Sequence, residues 1–236
     1  MNTNYISEEK SIQNFNDPLF DTILFTPIAE AMVDPLYCMG LTPNMITIIS
    51  TLFTLATVYF LSINSVNTAV ACYVFGYILD CVDGKIARKY NMMSNFGMVL
   101  DLTSDFISNI IIVGYILYYN NNVNVLYLII LLYFFSYMLT FSYGMIEAVA
   151  SYKSTNSDDF YKRKYDLLKK ESPDNLLYDF YLLLIKSTYD KYRDYFPTYN
   201  YTKLSNSLHY IKEFGAGNYL IFMTIIIYIV FTPGKI

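Results

Sequence analysis

The sequence has no tryptophan, a single histidine and three cysteines without regular spacing. Cys38, Cys72 and Cys81 are not spaced as disulfide partners or zinc ligands, so we expect reduced thiols and no disulfide framework. Charged residues are scarce at 15%, whereas hydrophobic residues make up 55% of the 236 positions. Such a composition with long apolar runs is typical of an integral membrane protein, and the chain has no nucleic-acid-binding motif. Without tryptophan, its 26 tyrosines must supply the aromatic belt at the membrane surface.

The apolar runs predict an all-α fold: a polytopic transmembrane helical bundle of five to six spans. Five clear segments support this prediction, and a sixth is interrupted by polar residues. The clear segments are residues 41–62, 65–90, 96–119, 123–143 and 216–231. The interrupted segment, residues 176–189, fits either an interfacial helix or a broken span.

The remaining segments differ from the spans in composition. Residues 1–16 are polar and are predicted to be disordered. Residues 17–40 mix apolar positions with acidic ones, which favours a juxtamembrane interfacial helix. Residues 41–236 then form the membrane domain. Its polar, tyrosine-rich part, about 147–214, is predicted to be a solvated cytoplasmic segment.

The stretch DCVDGKIARKYNMMSNFGMVLDLTSD, from Asp80 to Asp105, concentrates acids, glycines and an arginine inside this apolar chain. Five of its residues lie at offsets that share one helix face: Asp80, Asp83, Gly84, Ala87 and Arg88. Three more recur every fourth position as a second stripe: Gly97, Asp101 and Asp105. Only the polar segment 89–95 separates the two runs. This length predicts a helical hairpin whose acidic stripes face each other.

Four facing carboxylates repel one another, and at membrane depth each costs about 2.5–3.5 kcal/mol. Divalent cations relieve both penalties, and ligands that are all oxygen favour Mg²⁺, Mn²⁺ or Ca²⁺ over zinc. Two ions about 3.5–4 Å apart suit a displacement at phosphorus, because they hold the attacking and the leaving oxygen. The pattern therefore predicts a site for divalent cations of this kind, and two Mg²⁺ or Mn²⁺ ions would suit a displacement at phosphorus.

The pattern D-x2-D-G-x2-A-R-x8-G-x3-D-x3-D resembles the signature of the CDP-alcohol phosphatidyltransferases (class I), with every fixed position filled. These membrane enzymes transfer a phosphatidyl or similar phosphoryl-linked group from a CDP-linked donor to an alcohol and release CMP. The string TPNMIT, Thr42–Thr47, also resembles the family, where it borders the nucleotide-lipid pocket. The resemblance implies a phospholipid-synthesising transferase that uses CDP-diacylglycerol.

The resemblance also implies roles for the matching residues. The metal ligands would be Asp80, Asp83, Asp101 and Asp105. Asp80 and Asp101 would bridge both ions, and Asp105 would also be the general base that deprotonates the acceptor hydroxyl. The substrate-binding positions would be Gly84, Ala87, Arg88, Ser94, Gly97, Asn44 and Thr47.

The distribution of basic residues predicts the orientation of this multi-pass protein. Lys85, Arg88 and Lys89 lie at the turn of the hairpin, and a further basic cluster lies within residues 147–214. The connections 62–67 and 120–124 contain no lysine or arginine. The positive-inside rule then places the active site on the cytosolic side. Membrane lipids are the expected surroundings, and a homodimer is compatible with the sequence.

Several alternatives stay open at this point. The donor could be a CDP-amino alcohol, as in choline or ethanolamine phosphotransferases, and the acceptor could be any of several alcohols. An aromatic prenyltransferase would also need Mg²⁺ and aspartates, but it lacks the Gly-x2-Ala-Arg element. A transporter or channel with an acidic ion path predicts ion flux without CMP release. A non-catalytic relative predicts binding without turnover.

Overall fold

The computed structural model describes residues 18–119, 131–132, 134, 160–193 and 212–232. Regular structure in these ranges is helical and includes no strand, which confirms the all-α prediction. In chain order the helices are α1 (Thr26–Cys38, after a π-helical turn, Asp21–Phe25), α2 (Pro43–Ser62), α3 (Val66–Lys89), α4 (Asn95–Tyr119), α5 (Phe160–Glu171), α6 (Leu176–Arg193) and α7 (Ala216–Phe231, after a 3-10 turn, Lys212–Phe214). The polar segment 1–16 and nearly all of the predicted span 123–143 lie outside the described residues.

Two of the described helices, α2 and α4, are long and apolar enough to cross a membrane, with 20 and 25 residues. Helix α7 is equally apolar but has only 16 residues. Helix α3 has the length of a span, 24 residues, but the acidic motif begins in it at Asp80. These helices are consistent with an integral membrane protein, and the total of five to six spans stays a prediction.

Left-handed residues end the first three helices and turn the chain back. Gly40, Asn64 and Asn91 have φ angles of 81°, 56° and 55°. Glycine and asparagine adopt this conformation more readily than other residues, so they suit the position after a helix. The following amides close each turn on the carbonyl five residues earlier: Leu41 on Leu36 at 3.2 Å, Ser65 on Phe60 at 2.9 Å, and Met92 on Ala87 at 2.9 Å.

A small apolar core sets the rotation of α3 about its axis. It combines residues of α1, α2 and α3: Ala29, Val33, Ile46, Leu79, Val82 and Ile86. Val82 and Ile86 share their helical turns with Asp83, Gly84 and Arg88. Burial of the apolar side of α3 in this core therefore directs the motif residues to the other side.

Helices α2 and α3 approach closely at Gly76. A Cβ atom at this position would lie 2.6 Å from Oγ1 of Thr54 and 3.0 Å from the carbonyl oxygen of Ser50. The hydroxyls of Ser50 and Thr54 donate to carbonyls of their own helix at 2.7 and 3.0 Å. Small residues with internally bonded hydroxyls allow two helix backbones to pack tightly where lipid supplies no hydrophobic driving force.

The chain forms two compact units, residues 1–22 with 134–219, and residues 23–133 with 220–236. In the described part of the first, α5 and α6 form a hairpin around buried Leu168, Tyr178, Tyr181 and Leu182. Asn175 caps α6 by accepting from the amide of Leu177 at 3.0 Å. In the same unit, the buried carboxylate of Asp21 accepts from the amide of Gly217 at 2.9 Å.

The second unit contains the motif helices and most of α7. Phe231 of α7 stacks on Tyr119 of α4, with ring centroids 4.3 Å apart. Tyr228 donates to Oδ1 of Asn67, at the start of α3, at 3.0 Å. These contacts hold α7 against the ends of α3 and α4 that lie away from the motif.

We expect Gly76→Ala to lower the free energy of unfolding by about 1–3 kcal/mol, the usual cost of overpacking a tight contact. Gly114→Ala is the matched control, because nothing lies within 4 Å of a Cβ atom at Gly114 of α4. There the substitution gains helix propensity without a clash. Thermal unfolding in detergent measures both variants. Equal shifts of the two midpoints would contradict the proposed contact.

Candidate active site

The hairpin of α3 and α4 brings three carboxylates together. One oxygen each from Asp80, Asp101 and Asp105 lies within 4.8 Å of the others. Asp80 and Asp101 are half-buried, whereas Asp105 is exposed. Asp105 is therefore the most exposed residue of the three.

One carboxylate oxygen of Asp80 has no hydrogen-bond partner in the part of the chain that the structure describes. This atom, Oδ1, is buried. A buried carboxylate oxygen without a partner carries a large desolvation penalty. A cation bound between Asp80, Asp101 and Asp105 would remove this penalty, and an all-oxygen donor set suits Mg²⁺ or Mn²⁺. The residues present thus fit a hard divalent cation.

Asp83 is near these acids but has a different partner. Its Oδ2 atom accepts a hydrogen bond from the hydroxyl of Thr47 at 2.5 Å. Both side chains are buried, with exposed fractions of 4% for Asp83 and 2% for Thr47. The structure therefore gives Thr47, predicted to bind substrate, a carboxylate partner and almost no surface for a ligand.

Gly84 and Arg88 form one contact on the motif face of α3. A Cβ atom at Gly84 would lie 3.2 and 3.3 Å from the two terminal guanidinium nitrogens of Arg88. The absence of a side chain at Gly84 thus makes room for the guanidinium one turn further along. Ala87, also predicted to bind substrate, is half-buried, and its carbonyl accepts the amide of Met92 that closes the helix.

The start of α4 brings together three predicted substrate-binding residues. Ser94 is the N-cap, since its hydroxyl accepts from the amide of Gly97 at 2.9 Å. A Cβ atom at Gly97 would lie 2.8 Å from Oδ1 of Asn44 and 3.0 Å from Oγ of Ser94. A side chain at position 97 would therefore displace the side chain of Asn44 or of Ser94.

Helix α1 contributes contacts that the sequence analysis missed. Lys85 pairs with Glu30 at 3.6 Å, and Lys89 pairs with Asp34 at 2.5 Å. Glu30 and Asp34 are four residues apart, as are Lys85 and Lys89, so the two acids share one helix face and the two lysines share another. This equal spacing is the signal of the contacts that the sequence offers. The two lysines of the motif are thus paired with acids of α1.

Tyr90 adds to this cluster at the end of α3. Its hydroxyl donates to Asp34 at 2.7 Å, and its ring stacks on Tyr37 with centroids 3.5 Å apart. The hydrogen bond from Lys89, followed by that from Tyr90, holds the pKa of Asp34 below its usual value. Asp34 therefore stays ionised at neutral pH.

Comparison with known proteins places the site within a family. The family model of the CDP-alcohol phosphatidyltransferases matches residues 40–165, more than half of the 236 residues, and covers α2, α3 and α4. No solved structure matches the chain.

Curated relatives match a shorter stretch. An archaetidylinositol phosphate synthase of Pyrococcus horikoshii is 36% identical over 80 residues, which are 34% of this chain and 43% of that protein. A phosphatidylinositol phosphate synthase of Mycobacterium tuberculosis is 38% identical over 85 residues, 36% of this chain and 37% of that protein. A CDP-diacylglycerol–inositol 3-phosphatidyltransferase of Drosophila melanogaster is 38% identical over 63 residues, 27% and 28% of the two chains. The chain thus covers less than half of each relative.

We expect Ser94→Ala to lower the free energy of unfolding by about 1 kcal/mol, because α4 loses its cap. Ser94→Asn keeps a capping side chain without adding charge and should retain most of the stability. Chemical denaturation in mixed micelles measures the difference. If Ser94→Ala weakens binding of the nucleotide donor without loss of stability, the hydroxyl serves the substrate and not the helix.

Proposed function

The chain belongs to the CDP-alcohol phosphatidyltransferase family, and on this premise we propose that it transfers a phosphatidyl group from CDP-diacylglycerol to an alcohol and releases CMP. The observation that carries the proposal is the convergence of Asp80, Asp101 and Asp105 on a half-buried site beside Arg88. The names of the relatives support the donor, since one of them names CDP-diacylglycerol.

The same names favour an acceptor of the inositol class. The three relatives described above are named for inositol or for a phosphate of inositol. We therefore propose inositol, free or phosphorylated, as the acceptor. CDP-choline and CDP-ethanolamine are the competing donors, and serine, glycerol phosphate and amino alcohols are the competing acceptors, to be compared in the same assay.

Asp80, Asp83, Asp101 and Asp105 would hold two Mg²⁺ or Mn²⁺ ions. Bound there, the ions would offset the charge of the diphosphate and of the departing CMP. The buried Oδ1 atom of Asp80, which no described residue hydrogen-bonds, supports this assignment. Arg88 would contribute a further positive charge toward the donor phosphates, since it lies on the same face of α3 as Asp80.

In the proposed reaction the acceptor hydroxyl attacks the phosphorus that carries the diacylglycerol. A new oxygen–phosphorus bond forms as the bond to the CMP oxygen breaks, and CMP leaves with that electron pair. Asp105 accepts the proton of the hydroxyl, for which its exposure makes it the best placed of the three clustered acids. Gly84 and Gly97 keep the nearby backbone accessible.

We further propose that the protein is multi-pass, with the active site at the cytosolic membrane surface and α1 lying in the interface. Exposed Ile23, Leu24 and Ile28 support this position for the N-terminal helical segment. Glu30 and Asp34, by contrast, face lysines of α3. Helix α1 would thus cover the motif helix on one side and contact lipid on another.

The first experiment separates binding from chemistry at the aspartates. Asp105→Asn should reduce CMP release by 10²–10⁴-fold or more, since 10²–10⁴-fold is the usual contribution of a general base. The variant should retain donor binding. Asp80→Asn should lose turnover and donor binding together, because its carboxylate is central to the metal site. CMP release and lipid product are measured with CDP-diacylglycerol, an acceptor panel and saturating Mg²⁺, and CDP binding is measured by calorimetry.

Three results would contradict the proposal. They are full turnover in excess chelator, near-normal turnover by Asp105→Asn, and normal metal and donor binding by Asp80→Asn. Ion flux through reconstituted protein without CMP release would favour a transporter.

The second experiment tests the orientation. In a variant with Cys38, Cys72 and Cys81 replaced by serine, a cysteine at exposed Met93 marks the turn between α3 and α4. We expect an impermeant thiol reagent to label it only from the cytosolic side. A cysteine at exposed Ile63, at the other end of α2, is the matched control and should label only from the opposite side. The reverse pattern would refute the orientation.

A further inference from the structure

Thr47 makes a side-chain hydrogen bond from α2 to α3, whereas the neighbouring hydroxyl residues of α2 bond within their own helix. The neighbouring hydroxyls of α2 donate to carbonyl groups of α2 itself: Ser50 and Thr51 at 2.7 Å, Thr54 at 3.0 Å and Thr57 at 3.4 Å. Thr47 also lies within hydrogen-bond distance of its own helix, 3.1 Å from the carbonyl of Pro43, but its shorter contact crosses to the Asp83 carboxylate of α3 at 2.5 Å. A charge-assisted bond of this kind is shorter and stronger than a bond between neutral groups.

Several contacts fix the direction of the Thr47 hydroxyl. The side chain of a threonine in a helix has two favoured χ1 rotamers, and a hydrogen bond to the carbonyl four residues earlier selects one of them. Thr47 lies 3.1 Å from that carbonyl, on Pro43. Its own carbonyl accepts two hydroxyls, from Ser50 and Thr51, and its side chain is 2% exposed. These contacts hold the Thr47 hydroxyl on the side of α2 that faces Asp83.

We propose that Thr47 is a positioning residue for Asp83, holding its carboxylate in the plane and rotamer in which Asp83 joins Asp80, Asp101 and Asp105 around a divalent cation. The bond occupies Oδ2, which limits how the carboxylate can rotate. Partners of metal ligands typically change metal affinity 10–100-fold when they are removed. The inference rests on the proposed function for the identity of the site, but its test does not require turnover.

A purely structural role makes a different prediction. The pair could simply stabilise the packing of α2 on α3, in which case removal of the hydroxyl lowers the melting temperature and leaves cation affinity unchanged. Thr57→Val is the matched control for this outcome, because Thr57 is fully buried on the same helix and its hydroxyl donates to the carbonyl of Phe53.

The experiment measures binding of Mn²⁺ alone to purified, donor-free protein, by loss of the free-ion signal in electron paramagnetic resonance. Thr47→Val should weaken Mn²⁺ binding about 10–100-fold. Thr47→Ser should restore binding to near the parent value, and Thr57→Val should not change it. Unchanged affinity in Thr47→Val would overturn the proposal, as would absence of Mn²⁺ binding by the parent protein.

A double-mutant cycle guards against misfolding of Thr47→Val, which leaves a buried carboxylate without its donor. Asp83→Asn removes the charge and the ligand, so adding Thr47→Val to it should cause no further loss of Mn²⁺ affinity. Additive losses would show that Thr47 does not act through Asp83. If Mn²⁺ affinities follow the proposal but no CMP is released from any donor, the proposed function fails and the role of Thr47 stands.

Discussion

The burial of carboxylates in an apolar helical hairpin is the constraint on which this structure depends. Asp80, Asp101 and Asp105 converge within 4.8 Å, and a buried oxygen of Asp80 has no hydrogen-bond partner in the described residues. Such a cluster is unfavourable without positive charge to offset it. The fold must therefore both enforce the approach of the acids and leave a place for that charge.

The surrounding helices enforce the approach through contacts with little freedom. Gly76 lets α2 lie against α3, and Gly97 lets Asn44 of α2 reach the first turn of α4. The core residues Val82 and Ile86 fix the rotation of α3, so that Asp83 meets Thr47. Because these contacts involve backbone and buried groups, small changes in side-chain size should be felt at the site more than on the lipid-facing surface.

Much of this arrangement could be predicted from the sequence. The lengths of the apolar runs located α2, α3 and α4 within two residues, and spacing of four predicted the converging stripes. The Thr47–Asp83 bond could not be predicted, because it joins residues 36 positions apart and depends on the rotation of two helices. The ion pairs of Glu30 with Lys85 and of Asp34 with Lys89 depend likewise on how α1 is placed. The spacing of four residues between the two acids and between the two lysines is compatible with such pairs but does not by itself predict them.

The pairing of those lysines also bears on why the site needs cations. The motif segment carries three basic residues, Lys85, Arg88 and Lys89, beside its four aspartates. Glu30 and Asp34 pair with two of them, and exposed pairs of this kind add little stability. Their effect is instead to direct two positive charges toward α1 and away from the carboxylates. Arg88 remains on the face of the acids, and under the proposed function bound metal and substrate would balance the remaining charge there.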